Sequence, residues 1–397
     1  MNTRSPQAFA QLIEELRRFI DEEVIPREDL QTAHDSAVVG RLADELYTMA
    51  RARGLGAPRA RLEDGGLALS WTECCAYMEQ AGRSFLGPQA LRCAPPTQPD
   101  VFALEQLATP AQRERYLEPL RRGERRSCFA MTEPQVASSD ATNIESSIVR
   151  DGDHYVINGH KWYTTNATHP RCEIAIFMGK TDPDNPDRHK QQSMILVPMN
   201  TPGVQVIRPL PVFGYYGVPD RASEVIFENV RVPADHMLLG EGRGFEIAQG
   251  RLGPGRIHHC MRQIGLAERA LEEMCRRSLS RIAFGKPVAH QGVTVERIAQ
   301  SRILIEQARL LTLNAAHRMD TVGNKVAKTE IAMIKVAVPN MTCRVIDWAI
   351  QAHGGGGTSN DFMLAQGYAM SRVLRLADGP DEVHRNQIGK LELRKYQ

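Results

Sequence analysis

The chain has 397 residues, of which 42% are hydrophobic and 24% charged, and its formal net charge is +2. This composition describes a globular chain with room for two or three domains. The near-neutral charge argues against a protein built to bind a polyanion, since the basic run at 121–126 is typical of a solvated connector.

The cysteine pattern and the hydropathy set further limits. The eight cysteines are scattered without a CxxC pair, so we predict neither a zinc site nor a disulfide framework, and a reducing compartment. The aspartates of loop 181–190 lack the glycine and the terminal glutamate of a calcium loop, so no metal is expected. No apolar run reaches the roughly 18 residues of a membrane span. The first residues lack a signal-peptide core, and we expect a cytoplasmic protein.

Residues 1–127 are predicted to be helical. Two capping boxes, Ser70 with Glu73 and Thr109 with Gln112, mark helix starts. In the first helix apolar residues recur at helical spacing, namely Phe9, Leu12, Ile13, Leu16, Phe19 and Ile20. These apolar faces are most simply core.

Residues 128–236 have the pattern of a small β domain. Short runs rich in Ile, Val, Tyr and Phe are broken by two dipeptides typical of hairpin turns, Asp151-Gly152 and Asn158-Gly159. We therefore predict a hairpin at each dipeptide.

Residues 237–397 are predicted to be helical again. Two stripes suit core-facing helices, one of Ile298, Ile305, Ala308 and Leu311, the other of Ile331, Ile334, Val338 and Val345. Pro339 interrupts the second stripe and is expected to kink that helix or to end it early.

The stretch from Phe129 to Asp140, FAMTEPQVASSD, concentrates polar groups directly after a short apolar run. The run is predicted to be the end of a buried strand, and Pro134 stops further ladder pairing. Ser138, Ser139 and Asp140 could then face one planar polar ligand, whereas the absence of glycine argues against a phosphate cradle. The alternative is that these residues form a turn or a helix cap.

Seven segments, in order along the chain, resemble the acyl-CoA dehydrogenase family. They are FAMTEPQVASSD (129–140), GHKWYTTNA (159–167), FENVRVP (227–233), GRGFEIAQGRLGPGR (242–256), SRIAFGK (280–286), IQAHGGGG (350–357) and ADGPDEVHR (377–385). The ASSD and ADGPDEVH variants are similar to the branch whose eukaryotic members carry a phosphotransferase-like domain ahead of the dehydrogenase.

The resemblance implies an α+β fold with three domains. These are an N-terminal helical domain (1–127), a middle β-barrel-like domain (128–236) and a C-terminal four-helix bundle (237–397), assembled as a homodimer or homotetramer. It also implies a reaction of fatty acid β-oxidation: FAD-dependent dehydrogenation of an acyl-CoA to the 2-enoyl-CoA, with electron-transfer flavoprotein as the acceptor.

Such a reaction needs three things from its site. A base with a raised pKa in a dry pocket removes the weakly acidic α-proton. Donors aimed at the thioester carbonyl stabilise the enolate-like charge. FAD carries the redox step by accepting the β-hydrogen as hydride at N5.

The resemblance assigns site residues position by position. The implied FAD-binding residues are Phe129, Met131, Thr132, Ser138, Ser139, Trp162, Tyr163, Thr164, Arg281, Phe284, Gln291, Gln351, Gly355 and Glu382. Arg281, Phe284 and Gln291 would reach the cofactor of a neighbouring subunit. The implied acyl-CoA-binding residues are Ser139, Gly253 and Arg256. From the residues alone, Trp162 would be core and Arg281 a cation on a helix dipole.

The implied catalytic base is Asp378. The family's alternative base position falls at Gly255, which has no carboxylate, and the usual position carries Asp378 in place of glutamate. The aspartate is shorter by one carbon–carbon bond, roughly 1.5 Å. Misplacement of that order can cost ~10²-fold in rate. The alternative role for Asp378 is the N-cap of a helix, with Pro380 in its first turn.

Two other functions are compatible with this fold. Nitroalkane oxidases share it and use an aspartate to remove a more acidic proton, passing electrons to oxygen. The DNA-alkylation-response members are non-catalytic flavoproteins that bind DNA through a basic surface, and the near-neutral charge disfavours that class. Acyl length, branching and substitution at C4 stay open.

Overall fold

The order of secondary structure is helices, then strands, then helices, as predicted for the α+β fold. The computed structural model describes residues 4–28, 36–216 and 221–397. Its described helices are α1 (Pro6–Phe19), α2 (Ser36–Ala52), α3 (Trp71–Gly82), α4 (Gly87–Ala90), α5 (Thr97–Leu107), α6 (Pro110–Gln112), α7 (Glu118–Arg121), α8 (Gly244–Ser280), α9 (Gly292–Val326), α10 (Lys328–His353), α11 (Leu364–Val373) and α12 (Asp381–Leu393). Its described strands are β1 (Arg126–Ala130), β2 (Ser147–Asp151), β3 (His154–Lys161), β4 (Cys172–Lys180), β5 (Gln192–Pro198), β6 (Val204–Pro209), β7 (Ser223–Pro233), β8 (Ile282–Ala283) and β9 (Lys286–Pro287).

The chain divides into two compact units. The helical unit comprises Met1–His34, Arg41–Cys93 and Gly255–Gln397, and the sheet unit comprises Asp35–Gly40 and Ala94–Pro254. The domain boundaries at 127 and 236 stay a prediction.

In the helical unit, the predicted Ser70 cap is present, and the predicted apolar stripes are buried wholly in α10 and in part in α1 and α9. The Ser70–Glu73 capping box starts α3, with Ser70 Oγ accepting from Glu73 N and Glu73 returning the bond to Ser70 N. Leu16, Phe19 and Ile20 of the first predicted stripe are fully buried. The stripe of α10 is buried along its length, which fixes the face that this helix presents to the core.

The prediction that the second stripe's helix ends early at Pro339 is wrong. Helix α10 continues through Pro339 to His353. Proline removes one backbone hydrogen bond from the helix. Because Ile334 and Val338 before the proline and Val345 after it are all buried, tertiary packing holds the helix across that gap.

The sheet unit is built on a seven-stranded mixed sheet. The strand order is β1-β4-β2-β3-β7-β6, and β5 lies off this path and also pairs with β4. Strand β1 runs parallel to β4. Along β4, Ile174, Ile176 and Met178 enter one core cluster, while Ala175 and Phe177 enter the other. A strand buried on both faces needs such a continuous apolar run. The Thr109–Gln112 capping box starts α6 in the same unit, as predicted.

Only one of the two predicted hairpin turns is present. Asp151-Gly152 connects β2 to β3, but the prediction for Asn158-Gly159 is wrong because both residues lie inside β3. Asn158 pairs with Ser147, and its side-chain oxygen accepts from Asn229 N at 2.8 Å. Strand pairing on both sides overrides the local turn preference, and the dipeptide marks a register shift instead. Within the described ranges, no helix combines the length and apolar character needed to cross a membrane.

Candidate active site

The loop that follows β1 is closed by its own polar side chains. Glu133 N donates to Ser138 Oγ at 2.9 Å, and Asp140 Oδ1 accepts from Thr142 N at 3.0 Å. The turn and cap roles considered for Ser138 and Asp140 are therefore present. Ser139 lies between them with its side chain exposed.

A buried ion pair that sequence reasoning missed anchors this loop to the end of β3. Lys161 Nζ is fully buried and donates to Glu133 Oε1 at 2.7 Å, to Met131 O at 3.0 Å and to Met178 O at 2.7 Å. Burial lowers the pKa of Lys161 to about 8, and the Glu133 carboxylate opposes that shift. The same carboxylate accepts from the backbone N–H groups of Glu145 and Ser146. The anchor thus fixes where the predicted cofactor-binding loop lies relative to the strand.

The next residues along the chain, Trp162 to Thr164, carry buried polar atoms that lack partners. Trp162 N donates to Thr132 O at 3.0 Å, which brings two predicted site residues together. Trp162 Nε1 and Thr164 Oγ1 are buried, and neither has a hydrogen-bond partner among the residues the structure describes. Such atoms cost about 1–3 kcal/mol each when left unsatisfied, so a polar ligand that bonded to them would remove that cost. Tyr163 adopts φ 49° and is 44% exposed.

Phe129 is positioned by a second buried network in the sheet unit. The Arg251 guanidinium lies 4.2 Å from the Phe129 ring centroid and donates to Asp100 Oδ1 at 3.0 Å. Ser127 Oγ donates to the other Asp100 oxygen at 2.7 Å. Gly253, one of the predicted acyl-CoA contacts, is buried in α8 near Arg251 in sequence. The network holds the ring that ends β1 in one place.

A cavity in the helical unit gathers most of the other predicted cofactor residues. It has a volume of about 450 Å³, and Arg281, Phe284, Gln291 and Gln351 are among its lining residues. Gly355 lies just beyond in the chain, and a Cβ added there would meet no atom within 4 Å. Cationic and amide side chains around an open volume suit a phosphate-bearing ligand.

The predicted base, Asp378, lies in a left-handed turn between α11 and α12. Its φ is 56° and that of Gly379 is 101°. The Asp378 carbonyl accepts from Arg256 Nε at 2.9 Å and from His384 Nε2 at 3.2 Å. Aspartate tolerates this backbone region better than most residues. The turn is therefore a physical reason for aspartate here. The N-cap role considered for Asp378 is wrong, because Pro380 occupies the cap position of α12.

The Asp378 carboxylate faces the helix that carries the alternative base position. A Cβ added at Gly255 would lie 3.2 Å from Asp378 Oδ2. His259, one turn further along α8, has its Nε2 3.3 Å from the same oxygen. Sequence reasoning missed His259, although a spacing of four residues from Gly255 places both on one helix face.

The surroundings of Asp378 are cationic, and the nearby imidazole of His384 is neutral. Lys335 is buried and donates to the carbonyl oxygens of Leu374 and Gly379. Burial lowers the pKa of Lys335, and the charge of Asp378 opposes that shift. Burial, with the charges of Arg256 and Lys335, lowers the pKa of His384 to about 4. A negative charge in this turn is thus offset by nearby cations.

The predicted site residues fall into two groups, one in each unit. The structure brings Met131 and Thr132 together with Lys161 and Trp162 in the sheet unit, and Arg256 together with Asp378 in the helical unit. Glu382 is exposed in the first turn of α12.

Comparison with known proteins identifies the family. The chain matches family models for the acyl-CoA dehydrogenase N-terminal domain at 7–124, middle domain at 128–230 and C-terminal domain at 242–393. It is 51% identical over 396 residues to mouse acyl-CoA dehydrogenase family member 10, covering 98% of this chain and 37% of the mouse protein. It is 54% identical over 352 residues to human acyl-CoA dehydrogenase family member 11, covering 88% of this chain and 45% of the human protein.

A solved structure gives the same result over the whole chain. A Mycobacterium abscessus protein assigned to the acyl-CoA dehydrogenases superposes with a TM-score of 0.93 at 49% identity, covering 100% of both chains. The present chain spans less than half the length of the mouse and human relatives named above. On the three domain matches and these identities, the chain belongs to the acyl-CoA dehydrogenase family.

Proposed function

We propose that this chain is an FAD-dependent acyl-CoA dehydrogenase that uses Asp378 as its base. The observation that carries the proposal is the place of the Asp378 carboxylate, 3.2 Å from the position that a Gly255 Cβ would occupy. The Asp378 carboxylate thus faces residue 255 of α8, the position that corresponds to the alternative base of the family. Family membership supplies the reaction class.

The residues present fit FAD. Trp162 Nε1 and Thr164 Oγ1 are buried polar atoms with no partner in the described part of the chain, and they suit the polar edge of a flavin ring. The other proposed flavin contacts in the sheet unit are Phe129, Met131, Thr132, Ser138, Ser139 and Tyr163. Arg281, Gln291 and Gln351 suit the pyrophosphate and adenosine. Phe284 lines the same cavity, Gly355 follows its lining residue Gly354, and Glu382 is a further proposed contact in the first turn of α12. When bound there, FAD would supply the acceptor for the β-hydrogen of the substrate, which leaves as hydride.

The protein's own task is proton removal. Asp378 takes the α-proton of the acyl thioester, and the electron pair left at the α-carbon becomes the double bond of the 2-enoyl product as the β-hydride departs. Asp378 carries the proton until product leaves. The half-buried Arg256 and the buried Lys335 favour negative charge in this turn. Arg256, Gly253 and Ser139 are the proposed contacts to the acyl-CoA.

The proposal includes a homo-oligomer and electron-transfer flavoprotein as electron acceptor. Phe284 is 98% exposed at the tip of the β8–β9 hairpin, with Ile282 also exposed beside it. Large apolar side chains on a hairpin tip next to the Arg281 cavity suit burial against a second copy of the chain. Dimer and tetramer are both compatible with that contact.

The experiment has two steps. Acid release from the purified protein should yield one FAD per chain, and FMN or no flavin would end the proposal. Anaerobic titration with a panel of straight, branched and C4-substituted acyl-CoAs should then bleach the flavin. Oxygen consumption with nitroalkanes and no bleaching by any acyl-CoA would instead assign a nitroalkane oxidase. A salt-sensitive gel shift of duplex DNA, again with no flavin bleaching by acyl-CoA, would assign a DNA-binding flavoprotein.

A further inference from the structure

The Asp378 carboxylate has a side-chain neighbour in α8 that has no role in the reaction proposed above. His259 Nε2 lies 3.3 Å from Asp378 Oδ2, and the two side chains are only 14% and 15% exposed. A contact this sheltered from water is electrostatically stronger than the same contact at a surface. At 3.3 Å the two atoms are close enough for a small movement to complete a hydrogen bond, provided that Nε2 carries the proton.

Arg262 settles the tautomer of His259. Its guanidinium lies 2.8 Å from His259 Nδ1. A guanidinium has only donors, so Nδ1 must be the acceptor and carry no proton. The proton of the neutral ring is then on Nε2, which faces Asp378. Burial lowers the pKa of His259, and the carboxylate opposes that shift, which agrees with a neutral ring.

We propose that His259, locked by Arg262, is a positioning residue that donates from Nε2 to Asp378 Oδ2 and sets the plane of the base. This inference rests on the proposed role of Asp378. The donated bond fixes the rotation of the carboxylate about its Cβ–Cγ bond. A base that is one bond shorter than glutamate, and that projects from a left-handed turn, depends on that rotation for reaching the α-carbon.

Gly255 makes room for this arrangement. A side chain there would begin 3.2 Å from the same Oδ2 that His259 contacts. Gly255 and His259 thus lie on one face of α8 and act on the same carboxylate. Gly255 leaves room for the Asp378 side chain, and His259, one turn further on, fixes its orientation.

His259→Leu removes the donor while keeping an apolar side chain. We expect flavin reduction by a good acyl-CoA, followed by stopped flow, to slow by about 10- to 100-fold. The acid limb of the pH–rate profile should also move to higher pH, because a donor bond to the ionised carboxylate favours that form. His259→Gln, whose amide N–H can replace Nε2–H, should restore most of the rate and the limb. His259→Leu behaving as wild type, or Leu and Gln being equally slow, would overturn the proposal.

The groups that act on this profile are all in the helical unit. Among the described residues, those that act electrostatically on His259 or Asp378 include His258, Arg262, Lys335, Arg256, His384 and Cys260. His258 supplies the matched control, because it is buried and accepts from the same Arg262 at 3.1 Å. His258→Gln should leave the acid limb in place, and an equal movement of the limb would count against a specific role for His259.

Two further measurements separate this inference from the proposed function. If Asp378→Asn is inactive and His259→Leu is normal, only the positioning role fails, whereas an active Asp378→Asn removes the base itself. Independently of turnover, nitrogen NMR of histidine-labelled protein, with His259→Gln for assignment, should report a neutral ring protonated on Nε2. An imidazolium at neutral pH, or a proton on Nδ1, would overturn the inference.

Discussion

Lys161→Met tests the buried anchor of the proposed flavin-binding loop. Methionine keeps the apolar stem but removes the ammonium that contacts Glu133, Met131 O and Met178 O. The Glu133 carboxylate would then be buried without its counter-charge. It would keep its bonds from the backbone N–H groups of Glu145 and Ser146.

The expected loss follows from those contacts. Removing one partner of a buried ion pair costs about 3–5 kcal/mol, because the remaining charge is left uncompensated. We expect a fall of that size in the free energy of unfolding. Flavin affinity should fall with it, since the carbonyl of Met131 and the neighbouring Thr132–Trp162 bond are held in place by the same lysine.

Equilibrium urea denaturation followed by circular dichroism measures the change. Lys190→Met is the matched control, because that ammonium is 67% exposed and lies 3.9 Å from its nearest carboxylate. It should change stability by no more than about 0.5 kcal/mol. In a double-mutant cycle, Lys161→Met with Glu133→Gln should cost less than the sum of the single changes by about 1–3 kcal/mol. Lys161→Met within about 0.5 kcal/mol of wild type would refute the reasoning.

The same pair predicts a pH dependence. Burial raises the pKa of Glu133, but the charge of Lys161 and the hydrogen bonds outweigh it, so the pKa lies below its usual 4.5. A carboxyl group with a lowered pKa contributes stability that is complete above the unfolded-state value and lost as pH falls. The stability difference between wild type and Glu133→Gln should therefore narrow on acidification below pH 4.5.

Two further substitutions test the helical unit. Arg281→Ala should lose FAD and weaken assembly together if the arginine completes a neighbouring subunit's site, and sedimentation of a stable monomer with full flavin would contradict that. Gly255→Ala places a methyl group 3.2 Å from Asp378 Oδ2, so flavin reduction should slow. The free energy of unfolding should change by no more than about 1 kcal/mol. An unchanged rate of flavin reduction would show that the carboxylate does not need this space.

Local rules predicted the caps and core stripes because those features depend on residues close together in the chain. The Ser70–Glu73 box and the buried face of α1 are decided within a few residues. The same rules failed at Asn158-Gly159, where pairing with β2 and β7 outweighs turn preference. Of the two effects expected of Pro339, the early end of α10 is wrong, because buried side chains on both sides of the proline hold the helix where one hydrogen bond is lost.

The candidate site was only partly predictable, because its key contacts join distant parts of the chain. Family resemblance pointed to Asp378 and Arg256, but no local pattern reveals that Arg256 donates to the Asp378 carbonyl or that residue 378 has positive φ. Two features of the sequence point to the residues that were missed. Lys161 follows Tyr155 and Ile157 at period two on the buried side of β3, and His259 follows Gly255 by one helical turn.

The rate of flavin reduction in Asp378→Asn tests the central claim most directly. Asparagine keeps the size of the side chain and cannot accept the α-proton, so FAD and acyl-CoA should bind normally while reduction is abolished, a loss confined to the transition state. Asp378→Glu should keep measurable activity, at a lower rate because glutamate is less suited to positive φ. Stopped-flow mixing of the oxidised Asn variant with a good acyl-CoA decides the matter: no reduction supports Asp378 as the base, and reduction at the wild-type rate would place the base elsewhere.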